Sequence, residues 1–166
     1  MALTRAKKES LITELTDIAK NAVSVTFVHF KGLTIAEQDE VRNTLKKDGM
    51  RLRVAKKSLL KRAFANAGIE GEAPELTGEV AFAYLPKEAG DDTSATARGL
   101  SEFVKKFKGK LVFLGGAMER RFMDKSETEM YAAIPGMATL RGMFANIINS
   151  PRQRFAIALS QVVGKK

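Results

Sequence analysis

Two hydrophobic periods alternate along this chain through about residue 118, and that alternation limits its possible folds more than any other feature. Leu3, Leu11, Leu15, Ile18, Ala19 and Ala22 recur at helical spacing. The run Val23-Ser24-Val25-Thr26-Phe27-Val28-His29-Phe30 then switches to β-branched and aromatic residues, which predicts a buried strand. Thr34-Ile35-Ala36-Glu37 has the form of a capping box, in which hydroxyl and carboxylate each satisfy an orphan N–H at a helix start. A helix from Thr34 to about Asp48 follows, with Ile35, Val41 and Leu45 inward, and Gly49 supplies the left-handed residue that ends it. Met50 to Ala55 reads as a short strand and Ser58 to Ala67 as a second helix, stopped by Gly68. Residues 69–78 are acidic and broken by Pro74, hence a loop. Glu79 to Leu85 is another buried strand; Asp92 or Thr93 caps a helix to about Phe107, with Leu100, Phe103, Val104 and Phe107 on one stripe; Leu111 to Leu114 is a strand leading into Gly115-Gly116. The expected fold class is α/β, an alternating helix–strand layer sandwich.

The last third changes character. Ser126-Glu127-Thr128-Glu129 is a second capping box, opening a short helix that Pro135-Gly136 ends. After Glu129 no acidic residue remains, while Arg141, Arg152, Arg154, Lys165 and Lys166 do. Met137, Leu140, Phe144, Ile147, Ile148, Phe155, Ala158, Leu159, Val162 and Val163 keep one helical phase across Pro151, which predicts a long amphipathic helix in two segments, kinked at that proline. Such a helix extends about 40 Å at 1.5 Å per residue, comparable with the diameter of a domain this small. Part of its stripe must therefore cover another surface, a partner helix or a membrane interface. The last 15 residues hold a single aromatic, Phe155, and the chain has no Trp, which favours protein over lipid. With 166 residues, 45% of them hydrophobic, the chain can bury one moderate core. The expected division is an α/β domain over 1–134 and a helical appendage over 135–166.

Lys and Arg number 28 against 19 Asp and Glu, a formal net charge of +9, which favours a polyanionic partner. The densest basic segment is Arg51-Leu52-Arg53-Val54-Ala55-Lys56-Lys57-Ser58-Leu59-Leu60-Lys61-Arg62, with six cations and no acid. Leu and Val interleaved there can be buried while the cations line a phosphate backbone, and the start of the Ser58 helix adds N–H donors. The bland alternative is a solvated charged helix face. Lys31-Gly32 is a second basic turn, and if both turns lie at one end of the sheet they form one footprint.

Catalysis finds little support. Cysteine is absent, which rules out disulfides and thiolate metal sites and fits a reducing, cytoplasmic setting. The opening residues lead into a helical pattern and not into a signal peptide's apolar stretch. No run of about 18 apolar residues suggests a membrane span. His29 is the only histidine and sits in an apolar strand, where a structural role outweighs a catalytic one. Gly115-Gly116 lacks the Lys and hydroxyl spacing of a phosphate loop, and Asp91-Asp92 reads as a helix cap. No enzyme activity, metal or cofactor is expected.

Three stretches together resemble a known family: Lys31-Gly32-Leu33-Thr34-Ile35, then Val41-Arg42-Asn43-Thr44-Leu45-Lys46-Lys47-Asp48-Gly49, then Arg53-Val54-Ala55-Lys56-Lys57-Ser58-Leu59-Leu60-Lys61-Arg62-Ala63. They look like bacterial large-subunit ribosomal protein ten, the stalk-base scaffold. The likeness continues in Leu76-Thr77-Gly78 and in Ala132-Ala133-Ile134-Pro135. The resemblance implies that residues 1–134 bind large-subunit rRNA at the stalk base, beside the neighbouring ribosomal protein eleven. The terminal helix would carry dimers of the acidic stalk protein seven/twelve, which recruit translational GTPases. In some bacteria the family also represses its own mRNA. By position, Lys31, Gly32, Thr34, Arg53, Lys56, Lys57, Ser58, Lys61 and Arg62 inherit the rRNA role, and Arg51 joins them as a cation of the same segment. Leu140, Phe144, Ile147, Ile148, Phe155, Leu159, Val162 and Val163 are the expected partner-binding set. Two departures stand out: Lys57-Ser58 replaces the usual Asn-Thr, and His29 stands where a small polar or acidic residue is common. Without the resemblance, the residues alone also fit a general nucleic-acid-binding architectural protein with a protein- or membrane-binding helix.

Overall fold

The computed structural model describes residues 4–71 and 74–163. It divides the chain into two compact units, 1–134 and 135–166. In the first, the elements run α1 (Arg5–Asn21), β1 (Ala22–Phe30), α2 (Ile35–Lys47), β2 (Arg51–Val54), α3 (Lys57–Asn66), β3 (Val80–Pro86), α4 (Ala95–Lys106), β4 (Leu111–Met118), β5 (Arg121–Met123) and α5 (Lys125–Ala133). The five strands form one antiparallel sheet in the order β2-β3-β1-β4-β5. The α/β layer class expected from the alternation is what the chain adopts.

Skipped neighbours explain how alternating elements produce an antiparallel sheet. The unit β1-α2-β2 leaves a gap that β3 fills, and β3-α4-β4 leaves one that β1 fills. The two units are thus split βαβ motifs interlocked head to tail. Both faces of the sheet are covered. Val28, Ala81, Ala83, Leu85, Leu111 and Phe113 pack with Val41 and Leu45 of α2 and Ala97, Leu100 and Phe103 of α4. Val25, Phe27, Val80, Phe82 and Tyr84 pack with Leu15 of α1 and Leu59, Leu60, Ala63 and Phe64 of α3. Alternate residues of β3 feed each layer, which is why that segment reads as an unbroken apolar run.

One irregularity shapes β4. Phe27 faces Gly115 while Val28 faces Phe113, so Leu114 is an extra residue in a bulge. Gly115 has φ +150, and a Cβ there would lie 2.6 Å from the Met123 carbonyl oxygen and 2.8 Å from Pro74. The Gly115-Gly116 pair therefore lets the backbone of β5 and the 69–78 loop approach β4.

Two expectations need correction. Ile35 is not inward but 80% exposed. It is the first residue of α2 and lies about 120° around the helix from Val41 at 100° per residue, off the stripe. The cap of α5 is Asp124 rather than Ser126: β5 ends at Met123, and the Asp124 N–H donates to the Glu127 carboxylate at 3.3 Å, the same box spacing two residues earlier. The three-residue strand β5 went unanticipated, being too short for a period to show. The second unit contains α6 (Met137–Val163), one long helix with Pro151 inside it, as the unbroken apolar phase across that proline predicts. Leu3, counted in the first helical stripe, lies outside the described residues.

Candidate nucleic-acid interface

Strand direction decides which basic turns meet. β1 and β2 each run antiparallel to β3, so both end where β3 begins. Lys31-Gly32 follows the end of β1, Lys56-Lys57-Ser58 follows the end of β2, and Gly78-Glu79 enters β3 between them. The condition set by the sequence, that both basic turns share one end of the sheet, is met. Phe30, Val54, Ala55, Lys56, Lys57, Ser58, Gly78, Glu79 and Val80 line an open groove of about 590 Å³ there. Gly32 turns with φ +69 and has open space around it.

Helix α3 presents its cations by burying its other face. Leu59, Leu60, Ala63 and Phe64 are buried, with Phe64 edge-to-face against Phe27 at 5.2 Å. Lys57, Ser58, Lys61 and Arg62 are consequently exposed. Truncating a buried anchor such as Leu60 to Ala would cost about 2–5 kcal/mol and loosen the whole basic face. No side chain caps the helix: the N–H groups of Leu59 and Leu60 both return to the Lys56 carbonyl, at 2.9 and 3.0 Å. The Lys57 and Ser58 N–H groups thus face outward at the positive end of the helix dipole, a position that favours an anion. Lys31, Lys56, Lys57, Lys61 and Arg62 enter no ion pair among the described residues.

Three expected contact residues are placed differently. Arg51 sits at the far end of β2 opposite Tyr84, about 10 Å along the strand from Val54 at ~3.3 Å per residue. Arg53 pairs with Glu14 of α1 at 3.4 Å, a half-exposed pair. The Thr34 hydroxyl accepts the Glu37 N–H at 3.3 Å, and the Thr34 N–H donates to the Glu37 carboxylate at 2.7 Å, so the expected capping box forms and occupies that hydroxyl. Glu37 also receives Lys110 at 2.9 Å. The hydrogen bond from Lys110, followed by that of the Thr34 N–H, lowers its pKa from 4.5 to about 2.

A further basic turn escaped the sequence reading although its signal was plain. Lys105, Lys106, Lys108 and Lys110 fall within six residues at the α4–β4 connection. Since β4 runs antiparallel to β1, with Phe30 opposite Leu111, this turn lies beside Lys31, whose N–H donates to the Lys110 carbonyl at 2.8 Å.

The family profile for ribosomal protein L10 matches residues 3–111. The chain belongs to the ribosomal protein L10 family. Relatives named large ribosomal subunit protein uL10 match along most of their length. The one from Rhodospirillum rubrum is 34% identical over 154 residues, 93% of this chain and 86% of its own. That of Staphylococcus aureus is 31% identical over 99% of this chain and 96% of its own, and that of Albidiferax ferrireducens 30% identical over 100% and 90%. As a member of this family the chain is a structural protein of the large ribosomal subunit and not an enzyme.

His29 and Asp92 have structural positions. His29 Nδ1 lies 2.8 Å from the Glu79 carbonyl, which only accepts, so that nitrogen carries the proton. Asp92 accepts from the Ser94 N–H at 3.0 Å and pairs with Arg98 at 2.8 Å. Burial pushes the Asp92 carboxyl upward, but the Arg98 and Ser94 hydrogen bonds outweigh it and hold it below its ordinary value.

Helix α6 carries its apolar residues in the open. Phe144, Ile147, Ile148, Phe155 and Val162 are each about two-thirds exposed, and Leu140 and Leu159 are also exposed. At 100° per residue these seven fall within an arc of about 120°, and Arg141, Arg152 and Arg154 lie at its margins. Val163 closes the helix, and its side chain lies outside the described residues. No helix of the described chain is long and apolar enough to cross a membrane.

Proposed function

We propose that residues 1–134 bind large-subunit rRNA through the basic end of the sheet, and that residues 135–166 anchor dimers of the acidic stalk protein seven/twelve. The observation that carries the RNA half is the convergence of Lys31 with Lys56, Lys57 and the uncapped start of α3 on either side of the β3 entry. Cations that enter no ion pair among the described residues, held by buried Leu59, Leu60 and Phe64, are suited to phosphate contacts, which fix position without reading sequence. Ribosomal protein eleven is the neighbour that the family resemblance implies, and translational GTPases are reached only through the stalk. The place of action is the ribosome in the cytoplasm.

The stalk half rests on α6. Its exposed apolar arc offers i, i+4, i+7 anchors of the kind that a helix-in-groove contact uses. The flanking arginines and the lack of any acid after Glu129 suit an acidic partner. The decisive experiment is isolation of intact large subunits at moderate salt. One copy of the chain per subunit is expected; a chain absent from subunits yet bound to duplexes and single strands alike would instead be a general architectural protein.

A further inference from the structure

We infer that the Lys105–Lys110 turn is a second phosphate-binding arm of the RNA interface, separate from the α3 cluster, with Glu37 and Glu40 of α2 setting how many of its charges are free. The inference rests on the RNA reading above. Residues 103–118 contain no acid, and the four lysines of the turn divide into two kinds. Lys106 pairs with Glu40, and Lys110 pairs with Glu37 at 2.9 Å. Lys105 and Lys108 are exposed and enter no ion pair among the described residues.

The turn is firmly built. Phe107 stacks on the buried Phe103 with centroids 6.3 Å apart, Lys106 lies over the Phe107 ring, and Gly109 turns with φ +81. Compensation of the α4 dipole accounts for lysines in its last turn, Lys105 and Lys106. It does not account for Lys108 and Lys110, which lie beyond the helix end. The hydrogen bond from the Lys31 N–H to the Lys110 carbonyl ties this turn to the Lys31 side of the footprint, while the strand order β2-β3-β1-β4 separates it from the α3 start by three strand spacings. At ~4.8 Å each, that is about 14 Å, too far for one phosphate to serve both. The two clusters therefore meet different phosphates, and their contributions to the salt dependence should add.

The test is the affinity of the full chain for transcribed bacterial large-subunit rRNA as a function of KCl. Lys105→Ala with Lys108→Ala should flatten the log–log slope by about 1.4 to 1.8, two phosphates at 0.7 to 0.9 each, additively with Lys56→Ala and Lys57→Ala. Glu40→Gln, which frees Lys106, should tighten binding and steepen the slope. An unchanged slope in the Lys105/Lys108 variant, with the Lys56/Lys57 variant flattened, overturns the second arm and leaves the RNA reading standing. If neither pair alters the slope, both fall. Retained RNA slope with loss of a neighbouring protein from reconstituted subunits would also overturn the arm, assigning the turn to protein contact.

Discussion

The imidazole of His29 occupies the space that a side chain at position 78 would need: a Cβ built on Gly78 would lie 2.1 Å from His29 Cε1. The Glu79 carbonyl next to it accepts from both the His29 ring and the Phe30 N–H, at 2.8 and 3.2 Å. This stack joins the end of β1 to the start of β3 at the middle of the basic end. Gly78 also has φ +67, where an L side chain costs about 1–2 kcal/mol by itself.

Gly78→Ala is therefore expected to lower stability by about 2 kcal/mol or more in urea unfolding. His29→Ala in the same chain removes the clash but not the φ penalty. The double variant should then lose less than the sum of the single losses. Simple additivity would show that the ring yields freely.

The pH dependence of stability carries a second signature. Glu37 has its carboxyl lowered from 4.5 to about 2 by Lys110 and Thr34. A depressed folded-state value means stability that is fully present above the unfolded value and lost as pH falls through the folded one. The difference in unfolding midpoint between the native chain and Glu37→Gln should be constant above pH 5 and shrink between about 4.5 and 2. A difference that persists at pH 2 would remove the carboxylate as its source.

How much of this was legible beforehand depended on the length scale of the signal. Periodic segments such as Val23–Phe30 and the Leu59/Leu60/Ala63/Phe64 stripe declared themselves because burial repeats along them. Ile35 misled because apolarity was weighed without its phase relative to Val41, and α5 because Asp124 and Ser126 offer the same capping spacing two residues apart. The pairing of Arg53 with Glu14 spans 39 residues and joins β2 to α1, a separation that no local period covers. Lys105–Lys110 was visible as composition. Its place beside Lys31 depends on the antiparallel pairing of β1 and β4, which no local pattern reports.

Truncation after Ile134 should leave a cooperatively folding protein that keeps its rRNA affinity, because both core layers are built within residues 4–134. Circular dichroism melting and RNA binding together check this. A molten product would mean that α6 is needed for the core.

Native mass spectrometry with the acidic stalk protein should find four copies per chain, two dimers on α6, and two copies after truncation at Asn149. On the proposed reading, Leu140, Phe144, Ile147 and Ile148 would serve one dimer, and Phe155, Leu159, Val162 and Val163 the other. Pro151 lies between the sets and cannot donate to the Ile147 carbonyl, which marks a natural boundary. Six copies would require another anchor set upstream of Leu140; none would refute the scaffold role.

The salt dependence of rRNA binding tests the central claim most directly. Lys56→Ala, Lys57→Ala, Lys61→Ala and Arg62→Ala together leave the buried face of α3 intact, so unfolding behaviour should be preserved. The affinity for large-subunit rRNA should fall, and the slope of log K against log salt should flatten by about 0.7 to 0.9 for each phosphate that is no longer neutralised. Native affinity and slope in a folded quadruple variant would contradict the assignment of this end of the sheet to RNA.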